Sequence, residues 1–263
     1  MASYSHSAGW ASLLIEAAEN VRSRVRRTLL NKPTLTLNEM KGSLDREAQA
    51  AVEETLRQSG GSARIVSEEG ECVIGVGGPC VIVDPVDGTT NLARGIPLAV
   101  TSLAVSETAH LASTFTGVVM NLFTGEVFRA ERNLGAWRGG IRINPSRSRP
   151  ICEALISIDV SKGAPIDPVR ELISRASHLR QLGCSALSLC HVASGVTDAH
   201  VDLRGTLRVT DVAAGLMILK EAGGIYSVNG VVGGDLEFER KSTLTLIAAS
   251  SPWMLDEINK LTA

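Results

Sequence analysis

The stretch Ile82-Val83-Asp84-Pro85-Val86-Asp87-Gly88-Thr89-Thr90-Asn91 places two carboxylates three residues apart at the end of an apolar strand. Any fold this chain adopts must carry that strand out of a core onto a site that tolerates both charges. Pro85 cannot donate to a sheet ladder, so the strand is predicted to stop at Asp84. Carboxylates this close repel unless a cation lies between them, and the Val86 carbonyl adds a further hard oxygen. Gly88 permits a tight turn. The N–H groups of residues 88–90 then open a helix, an end that favours an anion such as phosphate. One short stretch thus offers a cation site beside an anion site, as metal-assisted phosphate chemistry requires. A plain strand-to-helix turn capped by Asp accounts for the same residues without chemistry.

The rest of the chain narrows the choice. With 26 Lys+Arg against 28 Asp+Glu, a net charge of −2 and no basic tract, phosphate neutralisation cannot drive binding to nucleic acid. Four Phe, three Trp and two Tyr are few for a base-stacking platform. No run of about 18 apolar residues offers a membrane span, and the polar segment Met1 to Gly9 lacks the apolar core of a signal peptide. Cys72, Cys80, Cys152, Cys184 and Cys190 form an odd set without zinc spacing, read as reduced, mostly buried thiols of a cytoplasmic protein.

Apolar periodicity predicts helices over 8–30, ended by Pro33, and over 43–58. Cys72–Val76 and Cys80–Val83 flank Gly77-Gly78-Pro79 and read as a hairpin. Strands are expected over 64–67, 98–106, 113–119, 126–130, 153–160, 197–202, 225–228 and 243–249. Helices are expected over 167–178, 185–194, 210–222 and from Ser251-Pro252 onward. At roughly 150 residues per domain, the pattern fits one layered α+β sandwich over 1–263, with halves of about 1–150 and 151–263.

Two further acidic sites join the first. Ser67-Glu68-Glu69-Gly70 ends a strand, and Asp211 opens a long helix, where a carboxylate is favourable in any case. An aspartyl-phosphatase nucleophile of the haloacid dehalogenase type needs Asp-x-Asp, and the Pro-containing Asp-x-x-Asp argues against it. His191 and His200 are read as structural.

SEEG (67–70), DPVDGTTN (84–91), LGCSALSLCHVASGVTDAHVDLRG (182–205) and TDVAAGLMILKEAGG (210–224), in this order, resemble the inositol monophosphatase family of metal-dependent phosphomonoesterases. The resemblance implies a five-layered αβαβα fold, a homodimer and Mg²⁺-dependent hydrolysis of a small phosphate ester. Glu68, Asp84 and the Val86 carbonyl would hold one ion, and Asp84, Asp87 and Asp211 a second, with Glu68 touching a third. All-oxygen ligands suit Mg²⁺, or Mn²⁺, rather than Zn²⁺. Asp45 and Thr89, with Glu68 nearby, would activate water, and Gly88, Thr89 and Thr90 would cradle the phosphate. Two departures stand out. Residues 34–45 lack the family's Gly-Asp-x-x-Thr loop, and Thr210 stands where many relatives have Trp.

Arg204 occupies the place, seven residues before Asp211, where animal members carry a Glu. This resembles archaeal members acting on both inositol monophosphate and fructose 1,6-bisphosphate. Arg180, Ser185, Asp87 and Arg204 are the expected substrate contacts, although Arg204 could simply pair with Asp202. The function implied is hydrolysis of inositol 1-phosphate and/or fructose 1,6-bisphosphate. The alternatives are a phosphatase acting on 3′-phosphoadenosine phosphate or NADP, and a non-catalytic regulatory relative.

Overall fold

Alternation along the strands sorts side chains into separate cores, and those cores define the layers. The computed structural model describes residues 4–31 and 35–262, with side chains from Gly9 onward; Pro33 lies outside the described residues. The first part of the chain contributes α1 (Tyr4–Asn31), α2 (Leu37–Gln58), β1 (Ala63–Ser67), β2 (Gly70–Ile74), β3 (Cys80–Asp87), α3 (Thr89–Arg94), β4 (Val100–Ser106), β5 (Thr114–Asn121), β6 (Val127–Glu131), β7 (Gly135–Arg138) and β8 (Ile141–Arg142). The second contributes β9 (Leu155–Ile158), α4 (Arg170–Arg175), β10 (His178–Arg180), α5 (Ser185–Ala193), β11 (Ala199–Arg208), α6 (Val209–Ala222), β12 (Ile225–Val228), β13 (Val231–Val232), β14 (Thr243–Ala249) and α7 (Pro252–Leu261).

One sheet has the order β2-β1-β3-β4-β5-β6-β7-β8 and the other β10-β9-β11-β14-β12-β13. On β3, Val81 and Val83 point to a core shared with Leu14, Val21, Leu44 and Val52 of α1 and α2. Ile82, between them, points to the opposite core with Leu189, Leu216 and Leu219 of α5 and α6, as a period of two demands. That central core also takes Leu244, Leu246 and Ala248 from β14. Ile247 and Ala249 face outward onto Met254 and Ile258 of α7 and Leu172 of α4. The layers therefore run helix, sheet, helix, sheet, helix, the αβαβα sandwich that the motifs imply. Small residues let the middle layer close. A Cβ on Gly215 of α6 would meet Leu189 Cβ at 2.8 Å.

Several sequence expectations are corrected. Residues 37–42 are helical, so α2 begins well before residue 43. Thr36 Oγ1 accepts the Glu39 N–H at 3.4 Å while Glu39 Oε2 accepts the Thr36 N–H at 2.9 Å, a reciprocal cap. The segment before Asp45 is thus a helix from Leu37 onward. β2 does not form a hairpin with β3. It pairs antiparallel with β1, which pairs parallel with β3, so the glycine-rich link crosses over the start of β1. Gly75 and Gly78 allow that passage, since a Cβ on either would lie about 2 Å from Ser62. β3 does not stop at Asp84. It continues to Asp87 through a register shift opposite β4, and Pro85 falls in this bulge, where no ladder donor is needed. The helix expected over 167–178 shortens to α4 because Ala176 turns extended and His178–Arg180 joins β9. The strand expected over 197–202 extends to Arg208, again with a shift between Asp202 and Leu207. Cys152 is exposed, whereas Cys80, Cys184 and Cys190 are buried.

Candidate active site

The bulge in β3 turns the sequence motif into a site. Asp84 is buried and its Oδ1 accepts the Val86 N–H at 3.2 Å. The Thr101 hydroxyl donates to the Pro85 carbonyl at 2.9 Å, which holds the bulged backbone. Gly88 caps α3 at φ 90°, and a Cβ there would lie 2.7 Å from the Leu98 carbonyl. Only glycine fits both constraints. The first-turn N–H groups of α3 have no intrahelical acceptor, and Gly88, Thr89 and Thr90 line a cavity of about 510 Å³.

Three other elements bring acids to the same cavity. The turn between β1 and β2 carries Glu68, the start of α6 carries Asp211, and α2 carries Asp45. Carboxylate oxygens of Glu68, Asp84 and Asp211 lie within 4.8 Å of one another. Asp87 points across to α5. Its Oδ2 accepts the Ala186 N–H at 2.7 Å and the Cys184 thiol at 3.3 Å, so it caps that helix. The Asn91 amide donates to the carbonyls of Leu98 and Leu182 and ties the motif to the second half of the chain.

Electrostatics follow from this crowding. Burial, then the neighbouring Asp211, Asp87 and Glu68 charges, push the Asp84 carboxyl well above its usual range. Burial and Asp211 raise Asp87 to about 7, against the lowering effect of the Ala186 N–H. Burial also raises Asp211, with Arg208 acting in the opposite sense. Asp45 rises to about 6 through burial, less what the Thr89 hydroxyl recovers. Thr89 Oγ1 lies 3.1 Å from Asp45 Oδ1 and 3.0 Å from the Val86 carbonyl. Its single proton can serve one of these acceptors at a time.

The donor set fits a hard divalent cation. It is all oxygen, it is partly desolvated, and its repulsion is only partly relieved by Arg208, which touches Glu68 and Asp211. Glu68, Asp84, Asp211, Asp87 and the Val86 carbonyl are the groups that could hold such an ion.

Ser185, at the first turn of α5, and Arg204 both line the cavity. Arg204 is largely engaged already. Its Nε and Nη2 grip Asp202 at 2.9 and 2.6 Å, and its Nη1 contacts Asp159 at 3.0 Å and Ser161 at 2.8 Å. The pairing with Asp202 foreseen as an alternative is present. Arg180 is exposed on β10, donates to its neighbour's carbonyl, and does not line the cavity. His200 is buried against Ser157 and burial lowers its pKa; neither it nor His191 reaches the cavity. Sequence reading missed Lys41, Lys162 and Gln181 on the cavity wall, and Arg208, which pairs with Glu68 at 2.5 Å. Arg208 sits three residues before Asp211, and that spacing was the available signal.

The inositol monophosphatase family model matches residues 7–259. The fructose-1,6-bisphosphatase/inositol-1-monophosphatase of Archaeoglobus fulgidus is 35% identical over 210 residues, covering 78% of this chain and 77% of that protein. The protein of the same description from Methanothermobacter thermautotrophicus is 33% identical over 215 residues, covering 74% of each. A solved Pyrococcus horikoshii structure, described as having similarities to inositol-1 monophosphatase, shares the fold at a TM-score of 0.81 and 24% identity, over 98% of this chain and 99% of that one. The match to the family model extends over nearly the whole described chain, across both sheets and every acidic residue of the cavity. The chain belongs to the inositol monophosphatase family, a family of phosphoric monoester hydrolases.

Proposed function

We propose that this phosphatase is Mg²⁺-dependent and hydrolyses inositol 1-phosphate and/or fructose 1,6-bisphosphate. The observation that carries the reading is the convergence of Glu68, Asp84 and Asp211 within 4.8 Å, beside an α3 N-terminus and an Asp45–Thr89 pair. Glu68, Asp84, Asp87, Asp211 and the Val86 carbonyl would hold the ions, which supply the positive charge that polarises the ester phosphate. Mn²⁺ suits the same ligands.

The chain's own groups do the rest. The N–H groups of Gly88 and Thr89, with the Thr90 hydroxyl, receive phosphate oxygens. Thr89 orients the attacking water and Asp45 accepts its proton, a role suited to a carboxyl raised to about 6. Ser185 and Asp87 bound the space for the leaving alcohol. Arg204 forms a stiff wall rather than a free fork, because two carboxylates already hold it.

We infer one phosphatase unit over 1–263, a reading supported by a cavity that draws Asp84 from one half and Asp211 from the other. A cytoplasmic homodimer is the assembly the family resemblance supports, and light scattering in solution checks it. Substrate choice is tested by phosphate release from inositol 1-phosphate, fructose 1,6-bisphosphate, 3′-phosphoadenosine 5′-phosphate and NADP at equal Mg²⁺. Highest kcat/KM on either of the first two is expected. A clear preference for either nucleotide would replace this reading by a nucleotide phosphatase.

A further inference from the structure

Among the described residues, Arg208 is the one cation that forms ion pairs with the converging carboxylates of Glu68, Asp84 and Asp211. Its Nη2 lies 2.5 Å from Glu68 Oε1 and its Nε 3.7 Å from Asp211 Oδ1. Both carboxylates belong to the set whose oxygens converge. The bulge of β11 places it there, because the register shift between Asp202 and Leu207 ends with Arg208 opposite Thr243 at the mouth of α6. The pair is half sheltered, with 34% of the Arg208 side chain and 28% of the Glu68 side chain exposed. Arg240 Nε separately donates to the Glu68 carbonyl at 2.9 Å. The turn's backbone is therefore tethered independently, and the Glu68 side chain can change partner without the turn moving.

We propose that Arg208 is a resident counterion that competes with a divalent cation for Glu68. It neutralises part of the cluster when no ion is bound and yields Glu68 when one binds. This rests on the metal-dependent reading above. Glu68, Asp84, Asp87 and Asp211 offer four carboxylates, and one guanidinium offsets a single charge. A small divalent ion carries twice that charge and approaches oxygen more closely than a delocalised guanidinium does. The ion therefore displaces Arg208, but its net affinity is lowered by the cost of breaking the pair. Arg208 thus acts as a positioning residue that sets ion affinity, with no part in the bond-breaking step.

The test uses the full chain stripped with EDTA, titrated calorimetrically with MgCl₂ and with MnCl₂ in the absence of substrate, as wild type and as Arg208→Gln. A half-exposed ion pair implies that the variant binds the divalent ion about 2- to 10-fold more tightly. Its metal-free Tm falls by a few degrees, and the deficit shrinks at saturating Mg²⁺, where the wild type has also given up the pair. Equal or weaker ion binding in the variant overturns the proposal, since Arg208 would then be holding Glu68 for the ion or only packing. If Arg208→Gln fails to fold, Arg208→Lys must shift affinity in the same direction by less, and unchanged or weaker binding overturns the proposal again. A wild type that binds no divalent ion at millimolar concentration removes the metal-dependent reading itself, a result separate from an unshifted variant.

Discussion

Asp87 combines two roles that ordinary carboxylates keep apart. It caps α5 through the Ala186 N–H and it stands against the charge of Asp211. Asp87→Asn retains an acceptor for the cap and loses the charge. It should keep the fold while lowering phosphate release on the order of 100-fold or more; turnover within tenfold of wild type would contradict the ion-holding role. Arg204 presents the opposite balance. Asp202 is fully buried beneath it and Asp159 nearly so. Arg204→Met removes the ion-pair partner of both buried carboxylates and should cost about 3–5 kcal/mol, read by calorimetry as a Tm loss on the order of 10 °C. The Asp84–Asp87 pair was legible from one sequence because its spacing is local and Gly88 and Thr89 follow directly, whereas Glu68 and Asp211 joined it only through the family resemblance. Arg204's second partner was not legible, because Asp159 comes from a distant strand end and no periodicity links the two.

At the scale of elements, α2 is the clearest case of a device that composition conceals. Thr36 and Glu39 cap it reciprocally, and Asp45 is carried on the helix this cap begins. Thr36→Ala should destabilise by about 1 kcal/mol, a Tm decrease of about 2–4 °C in a scanning experiment. An unchanged Tm would show that tertiary packing of Met40 and Leu44 alone holds the first turns. Long periodic segments such as α1, α6 and β14 could be read from their apolar spacing. The order of β1, β2 and β3 could not. A glycine-rich link between apolar runs looks alike whether it closes a hairpin or crosses a neighbouring strand, and only the contact with Ser62 distinguishes them. The bulges of β3 and β11 escaped for a related reason. A bulge shifts register without changing the residue types, yet these two shifts deliver Asp87 and Arg208 to the cavity.

Over the whole molecule, a net charge of −2 conceals a concentration of negative charge where the two halves meet, with Arg208 in direct contact with Glu68 and Asp211. Raised carboxyls bind more protons in the native state than in the unfolded chain, so their contribution to metal-free stability is fully present below about pH 4 and is lost as pH rises through the folded values. For Asp45 and Asp87 the window runs from about 4 to about 7. Calorimetry in EDTA should therefore show the Tm falling between pH 5 and pH 8, with Mg²⁺ restoring it at the upper end. A Tm that rises across this range without metal would contradict the crowding described for Asp84, Asp87 and Asp211. Phosphate release from this cavity by means of a cation its carboxylates hold is tested most directly by titrating EDTA-stripped protein with Mg²⁺ while following phosphate release from inositol 1-phosphate and fructose 1,6-bisphosphate, for wild type and Asp84→Asn side by side. No release without Mg²⁺, saturable recovery in the wild type, and little or none in the variant are expected; release that persists in EDTA, or full recovery in Asp84→Asn, would contradict the ion-holding role of Asp84.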